Sequence, residues 1–469
     1  MLTVVAGINW GDEGKGRMVD LLAREHDVVV RYQGGNNAGH TIVNDRGRFV
    51  LNLLPSGVFH DGVTNVLGQG MVIDAACLAR EIAALAGQGV RLAPERLIVS
   101  DRASLCLPWH VRQDIVEEER LGDARFGSTR RGIGPAYGDR YLKKCLRVAD
   151  LLSPPSALRR KVAALADWKS LGLVKGYGEP SIDPDALIDD LRAAADTLAP
   201  FIADAGAYLE RAADAGRRIL FEAQLGALRD IDCGILPYTT SSCTLAAYAP
   251  IGAGIPARRP DRIVGVVKAY STCVGGGPFT AEWFGEAADR LREAGGEYGA
   301  TTGRPRRVGP FDVVASRHGV RLQGATELAL TKLDILAGMD RIPVCVAYEI
   351  DGRMVRDFPS GEALDRARPI IEHLEGVGGD LSRCRTRDDL PPGARAYVRF
   401  VESALGCPVR YLSVGARRDD YIDLRPPRDA GSSVRGAVEK PRCNDRIGAS
   451  MHKTRKKSDA SAQRVRSWK

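Results

Sequence analysis

No run of about 18 consecutive apolar residues occurs in this chain, which excludes a membrane-spanning helix. The first residues, Met1–Gly7, carry no basic stretch ahead of an apolar core, so they are expected to form a first strand and not an export signal. None of the ten cysteines, at positions 77, 106, 145, 233, 243, 273, 345, 384, 407 and 443, forms a C-x-x-C pair, and no histidine cluster lies beside them. A zinc site is therefore not expected, and the thiols read as the reduced cysteines of a cytoplasmic protein. No internal repeat is visible. What remains is ordinary: 44% hydrophobic and 27% charged residues are globular proportions. A length of 469 residues suffices for one large α/β core with insertions.

The net charge of +8 is unevenly placed. Residues 426–469 hold twelve Lys or Arg against four Asp or Glu, a balance of +8 that leaves residues 1–425 neutral overall. This tail opens Pro426-Pro427, is rich in Ser, Arg and Lys, and has too few apolar residues to order itself. Residues 1–425 are expected to form the folded domain and residues 426–469 a disordered basic tail. The tail motivates a reading of another class, nucleic-acid binding. With Trp468 its one aromatic and no groove-reading motif, a specific reader is not expected.

Short β-rich apolar runs alternate with helical patterns. Candidate strands are Thr3–Ala6, Asp27–Tyr32, Phe49–Leu53, Arg96–Ser100, Arg218–Phe221, Arg262–Val267, Glu327–Thr331, Val344–Glu349 and Val409–Leu412. Candidate helices include Met18–Arg24, Asp74–Ala86, Ala281–Glu293 and Arg395–Leu405. The alternation predicts an α/β fold: a large, mainly parallel central sheet covered by helices. Residues 151–215, rich in Ala and Leu with charges at helical spacing, are expected to be an all-helical insertion.

Two loops carry the chemistry. The first, Gly7-Ile8-Asn9-Trp10-Gly11-Asp12-Glu13-Gly14-Lys15-Gly16-Arg17, joins a strand to a helix. Its glycines admit a polyphosphate to the backbone N–H groups, the helix N-terminus adds a positive dipole, and Lys15 adds a charge. It is not a Walker A motif: Gly16 stands where Ser or Thr would bind magnesium. Asp12 is the informative residue, because a carboxylate inside an anion-binding loop needs a metal or a proton-transfer role to justify it. The second loop, Arg31–Thr41, follows the second strand and contains Gln33-Gly34-Gly35-Asn36-Asn37-Ala38-Gly39-His40. In a parallel sheet both loops emerge at one edge, so His40 can face Asp12 as an acid–base pair.

With these loops in hand, the chain resembles the adenylosuccinate synthetase family. Further support comes, in the expected order, from Gly132-Ile133-Gly134-Pro135-Ala136-Tyr137, Pro237-Tyr238-Thr239-Thr240-Ser241-Ser242, Lys268-Ala269-Tyr270-Ser271-Thr272, Gly299–Arg304 and Thr331-Lys332-Leu333-Asp334. The resemblance spans about residues 3 to 424 and implies a core like that of P-loop nucleoside triphosphatases. It implies a GTP-dependent ligase that joins L-aspartate to IMP through a 6-phosphoryl intermediate. In that chemistry a base removes the N1 proton, GTP phosphorylates the 6-oxyanion, and the aspartate amine displaces phosphate.

By the same resemblance, Asp12 is the base and a Mg2+ ligand, with the Gly39 carbonyl a second ligand. His40 is the partner acid, and Lys15 holds phosphate. Asp12, Lys15, Asn37, His40, Thr129, Gln224, Thr240 and Arg304 match IMP contacts, with Gln224 facing the developing oxyanion. Lys143 matches an IMP-phosphate cation contributed across a homodimer interface. Residues Ala300, Thr301, Thr302, Gly303 and Arg304 match the aspartate loop, where a guanidinium fork suits a carboxylate. The GTP site matches Gly11–Arg17 (including Glu13, Gly14 and Gly16), Gly39, His40, Thr41, Arg306, Lys332, Leu333, Asp334, Ser413, Val414 and Gly415. Asp334 can accept from both N1–H and the 2-amino group of guanine, a donor pair that adenine lacks.

Four departures stand out: Arg130 and Lys143 where Gly and Arg are usual, Gln69 where Asn is common, and Glu222-Ala223-Gln224-Leu225-Gly226, which shifts the glutamine one place. They keep open a sibling ligase acting on another purine nucleotide, a 2-amino or deoxy one.

Overall fold

The centre of the molecule is built from runs with no polar alternation, as expected of strands covered on both faces. In the computed structural model, which describes residues 1–44, 47–299 and 303–425, β1 (Leu2–Gly7) is buried at all six positions. It sits mid-sheet between β8 (Ile219–Gly226) and β9 (Arg262–Lys268), parallel to both. Outward from β8 come β2 (Val28–Arg31), β5 (Thr64–Leu67), β6 (Leu97–Ser100) and the two-residue β7 (Ile202–Ala203). Outward from β9 come β10 (Glu327–Thr331), β12 (Val409–Ser413) and β13 (Tyr421–Asp423). Only the β12–β13 pairing of this ten-stranded sheet is antiparallel. The α/β class and its parallel sheet are as the sequence predicts.

Three sequence expectations need correction. Phe49–Leu53 contributes to a hairpin of β3 (His40–Asn44) and β4 (Gly47–Leu51) outside the main sheet. Val344–Glu349 lies in β11 (Arg341–Ile350), which pairs antiparallel with Arg353–Val355 and Arg368–Glu375 in a separate sheet. Residues 151–215 are not all helical. Helices α5 (Pro155–Ser170), α6 (Pro184–Leu198) and α7 (Ala205–Asp214) are interrupted by β7, which adds to the sheet edge beside β6. In the first two cases the local apolar run recorded the element type but not which sheet it joins, and in the third a two-residue strand is too short to register against its helical surroundings.

The first helix, α1 (Lys15–Ala23), begins at the glycine loop, with Gly14 in the left-handed region as its N-cap. Met18, Val19 and Leu22 of α1 pack on β1, β2 and β8 through Val5, Val29 and Leu220. Helix α2 (Ala75–Gly87) is capped by Asp74, which accepts from Cys77 N at 2.9 Å. Helices α3 (Pro108–Arg120) and α4 (Ile133–Tyr141) carry one wall of the site. On the β10 side, α8 (Gly285–Gly295), α9 (Val313–Gln323) and α10 (Pro392–Leu405) cover the sheet. Helix α8 starts four residues later than expected because Trp283 N bonds to Val308 O at 2.8 Å and holds that stretch extended.

Residues Met1–Arg425 form one compact unit. The tail expected at 426–469 lies outside the described residues. Among the described residues no helix is long and apolar enough to cross a membrane.

Candidate active site

Because β1, β2, β8, β9, β10 and β12 run parallel, their carboxyl ends meet at one edge, and there the predicted residues gather. The glycine loop is held by its own carboxylate. Glu13 accepts from Asn9 N at 3.1 Å, Gly11 N at 2.9 Å and Lys15 Nζ at 2.6 Å, all buried. Asp12 takes a left-handed conformation (φ 61°) and turns its side chain, 39% exposed, out of the loop. A Cβ on Gly16 would lie 2.8 Å from the His40 Cβ, so a glycine there lets the second loop close on the first.

His40 is buried, and its Nδ1 donates to Glu222. Glu222 also accepts from Ser56 N at 2.8 Å and Ser56 Oγ at 2.6 Å. Burial lowers the His40 pKa against the pull of Glu222. Burial opposes ionisation of Glu222 too, but His40, Arg31 and Ser56 hold it below the ordinary carboxyl range. The bond between His40 Nδ1 and Glu222 fixes the orientation of the imidazole.

Between the loops and the α3–α4 wall lies a cavity of about 610 Å3. Asp12, Asn37, Thr129, Thr240 and Leu225 line it. Helix α3 secures the Thr129 segment: Asp114 accepts from Ser128 Oγ at 2.5 Å and Gly132 N at 2.8 Å, and Glu118 accepts from Gly127 N at 2.7 Å. Gln224 is not on the cavity wall; it is wholly buried behind Asn37. Lys143 is exposed just past α4, in a left-handed conformation, and does not line this cavity.

On the other side of the glycine loop the GTP-matching residues converge. Arg17 donates to Ser413 Oγ at 3.1 Å and Gly415 O at 2.6 Å, either side of buried Val414, and stacks on Tyr421 at 4.4 Å. Thr331 Oγ1, at the end of β10, donates to the Glu13 carbonyl at 2.7 Å. Just beyond it, past Lys332 and buried Leu333, Asp334 presents a buried Oδ1 with no hydrogen-bond partner, and burial raises its pKa. Gly39 and Thr41 flank His40 and are half-buried.

A third group was not foreseen. Glu297, fully buried, accepts from Lys268 Nζ at 2.9 Å, Arg306 Nη1 at 2.8 Å and the Tyr270 hydroxyl, with Lys332 Nζ 3.4 Å away. Burial works against its ionisation, but Lys268, Lys332 and Arg306 hold it well below the usual range. Burial brings Lys268 down to about 8. Arg306 Nε also meets Asp12 at 2.9 Å, so one guanidinium joins the cluster to the loop. The aspartate-matching loop starts here. Gly303 N bonds to Gly299 O and Gly299 N to Arg304 O, each at 2.8 Å, and Arg304 is exposed. Ala300, Thr301 and Thr302 lie outside the described residues.

The sequence reading missed Glu222, Ser56, Arg31, Lys268 and Glu297. A signal existed for three of them: Arg31, Glu222 and Lys268 each follow or interrupt an apolar run of a strand, where an uncompensated charge is not tolerated.

A phosphate loop and a carboxylate with an unpartnered oxygen at one edge of a parallel sheet, beside a cavity of about 610 Å3, define a nucleotide-dependent α/β enzyme acting on a second ligand. The adenylosuccinate synthetase family model matches residues 4–422. Adenylosuccinate synthetase 2 of Pseudoalteromonas translucida is 47% identical over 423 residues, 89% of this chain and 99% of that protein. The fully ligated adenylosuccinate synthetase of Plasmodium falciparum superposes with a TM-score of 0.85 at 32% identity, over 90% of this chain and 99% of that one. The cyanophage S-2L succinoaminodeoxyadenylate synthetase shares the fold at 19% identity and a TM-score of 0.56, over 91% of this chain and 95% of that one. The chain belongs to the adenylosuccinate synthetase family. It is a GTP-dependent ligase of purine biosynthesis that joins L-aspartate to IMP.

Proposed function

We propose that Asp12 and His40 act in the ligation from opposite loops of the strand-end cleft, with the observed loop geometry as support. IMP takes the cavity lined by Asn37, Thr129 and Thr240. Asp12, leaving Arg306, accepts the N1 proton of the purine. The nucleophile is then the 6-oxyanion, which displaces GDP from the γ-phosphoryl group held by Lys15 and the loop amides. The negative charge of the arriving triphosphate raises the His40 pKa, so Nε2 is protonated and donates to the transferred group while Glu222 stabilises the imidazolium. The aspartate amine then attacks C6, giving up a proton as phosphate leaves, and the loop Ala300–Arg304 takes the dicarboxylate, with the Arg304 guanidinium suited to a carboxylate.

The donor set fits a hard cation held mainly by its substrates. Asp12 offers a half-exposed carboxylate and Gly39 a carbonyl, and among the described residues no group of three or more His, Cys, Asp or Glu forms a cage. Mg2+ suits such a site: Asp12 and the Gly39 carbonyl would hold it, and it would neutralise charge on the triphosphate.

Asp334 carries the GTP assignment: its buried, unpartnered oxygen is the acceptor that guanine N1–H and the 2-amino group supply with donors. GDP and phosphate release should require IMP, GTP and L-aspartate together; turnover with any one omitted refutes the scheme. A 2-amino or deoxy nucleotide as the better substrate would favour the sibling reading. We assign the enzyme to the cytoplasm, supported by the nine free cysteines among the described residues.

A homodimer is supported by exposed Tyr141 and Leu142 beside Lys143, which points outside its own cavity. Mixing inactive Lys143→Ala and Asp12→Asn subunits should restore activity, towards about a quarter of wild type if subunits exchange at random. No recovery despite proven exchange places Lys143 in its own subunit or in no site.

A further inference from the structure

We propose that Arg229 is a positioning residue: its guanidinium clamps two loops of the cavity wall together, and the closed wall sets the affinity for IMP. The inference rests on the IMP reading of the cavity, but on no particular orientation of the nucleotide within it. Arg229 ends the short turn Ala227–Arg229 after β8, is 7% exposed and lines the cavity. Its Nη1 donates to Tyr238 O. Its Nη2 donates to Val274 O at 2.6 Å and to Gly276 O at 3.2 Å, and lies 3.0 Å from Cys273 Sγ. Every side-chain partner of Arg229 among the described residues is thus on one of two segments, the loop of Tyr238 and the run 273–277. The first of these also carries Thr240, whose N donates to the Arg229 carbonyl at 2.8 Å. Carbonyls from both segments converge on one point, where each would be an orphan if buried without a donor. A guanidinium spreads its N–H groups over a rigid plane, so one side chain serves both segments at once. An ammonium is a compact donor on a flexible stem and does not reproduce that bridge.

The packing around the guanidinium is shaped for a closed seam. The Tyr238 ring lies on the glycine run: a Cβ on Gly276 would come within 2.9 Å of it, and one on Gly277, at φ +94°, within 2.5 Å. The segment that carries Thr129 closes on the same place. Gly276 N donates to Phe126 O at 3.3 Å, the Phe126 and Tyr238 rings meet edge-on at 6.2 Å, and a Cβ on Gly127 would lie 2.9 Å from Gly275 Cα. Thr129 and Thr240 line the cavity from different segments, and the placement of both is referred to one side chain. The far end of the glycine run has its own anchor, Arg307 Nη1 donating to Gly277 O at 2.7 Å. Loss of the Arg229 guanidinium therefore opens the seam between the segments and leaves each of them tethered. None of its side-chain partners lies on the glycine loop or beside Asp334, so the GTP side of the cleft is outside its reach.

Steady-state kinetics of the full chain test this. Arg229→Met should raise the IMP KM about 10-fold, the scale of one lost hydrogen bond from a charged donor. Turnover at saturating IMP and the GTP KM should each stay within about three-fold of wild type, since a positioning group for IMP contributes to binding and not to the transition state alone. A GTP KM that rises as far as the IMP KM, or an IMP KM that does not move, overturns the proposal. Arg229→Lys separates the clamp from a direct charge effect on the nucleotide. It keeps the positive charge and loses the planar fork, so the IMP KM should rise as in Arg229→Met. An IMP KM of wild-type size in Arg229→Lys would show that charge alone suffices and overturns the clamp. Should Arg229→Met fail to fold, Arg229→Lys carries the test by itself, with the same supporting and overturning results. The wild-type assay separates the two levels of failure. No turnover of IMP with GTP and aspartate sinks the functional reading, whereas normal wild-type turnover with an unmoved IMP KM in the variants sinks only the clamp.

Discussion

Two carboxylates of the nucleotide site, Glu297 in the loop after α8 and Asp334 just past β10, are treated in opposite ways. Glu297 is fully buried and surrounded by Lys268, Arg306, Lys332 and the Tyr270 hydroxyl, which hold it ionised. Asp334 is half-buried, has one oxygen without a partner, and is pushed towards its neutral form. A buried acceptor with all its donors supplied by the chain serves the chain. One left unpaired carries a free-energy cost that a ligand can relieve. On the proposed assignment of Asp334 to guanine, the difference separates the residue that builds the site from the one that reads what enters it.

The largest expected effect comes from breaking the satisfied member. Glu297→Gln leaves three cations around an uncharged group, and loss of one partner from a buried ionic cluster costs about 3–5 kcal/mol. Chemical denaturation checks it, and a change under about 1 kcal/mol would mean the cluster is better solvated than its burial indicates. Next is the base. Asp12→Asn should lose at least about 10²-fold in turnover with the fold intact. Near-normal turnover would remove Asp12 from the mechanism and leave its Arg306 contact a structural one. Asp334→Asn should follow. It keeps an acceptor for N1–H but none for the 2-amino group, so the preference for GTP over ITP in kcat/KM should fall about 10-fold, the scale of one hydrogen bond to a charged group. An unchanged preference would place guanine recognition elsewhere.

The smallest effect sharpens the comparison itself. Glu297 is held below its unfolded value of 4.5, so its contribution is full above that pH and is lost as pH falls through its folded value. Asp334 is held above its unfolded value of 3.8, so its ionisation costs stability as pH rises from there. The unfolding free-energy difference between wild type and Glu297→Gln should therefore shrink on acidification. For Asp334→Asn the dependence should run in the other direction. Parallel slopes would show that the two groups do not differ as described.

Much of this was legible in the residues. The strand–loop–helix around Asp12, with Arg17, and the position of His40 follow from glycine spacing and from parallel strands ending at one edge, whereas Asp334 is reached through the family resemblance. What a single sequence withholds is depth and partnership. Glu297 draws donors from β9, from the loop between α8 and α9 and from the turn after β10, and no local pattern announces that gathering. Gln224 and Leu225 are adjacent, and only the bulge against β1 decides which faces the cavity. Period-two counting across an unseen bulge assigns the wrong face to every residue inside it. The same blindness to partners put Phe49 and Val344 in the main sheet, when each belongs to a smaller one.

The hydrogen bond from Thr331 Oγ1 to the Glu13 carbonyl joins the strand end that leads to Asp334 with the loop that receives phosphate. The separation between the two ends of the triphosphate site is therefore set by the protein before any ligand arrives. On the proposed assignment of the loop to phosphate and of Asp334 to guanine, the cleft works as a caliper with locked jaws. A nucleotide is gauged by its length as well as by its base, and a compound bearing the right base but too short a phosphate chain leaves one jaw empty.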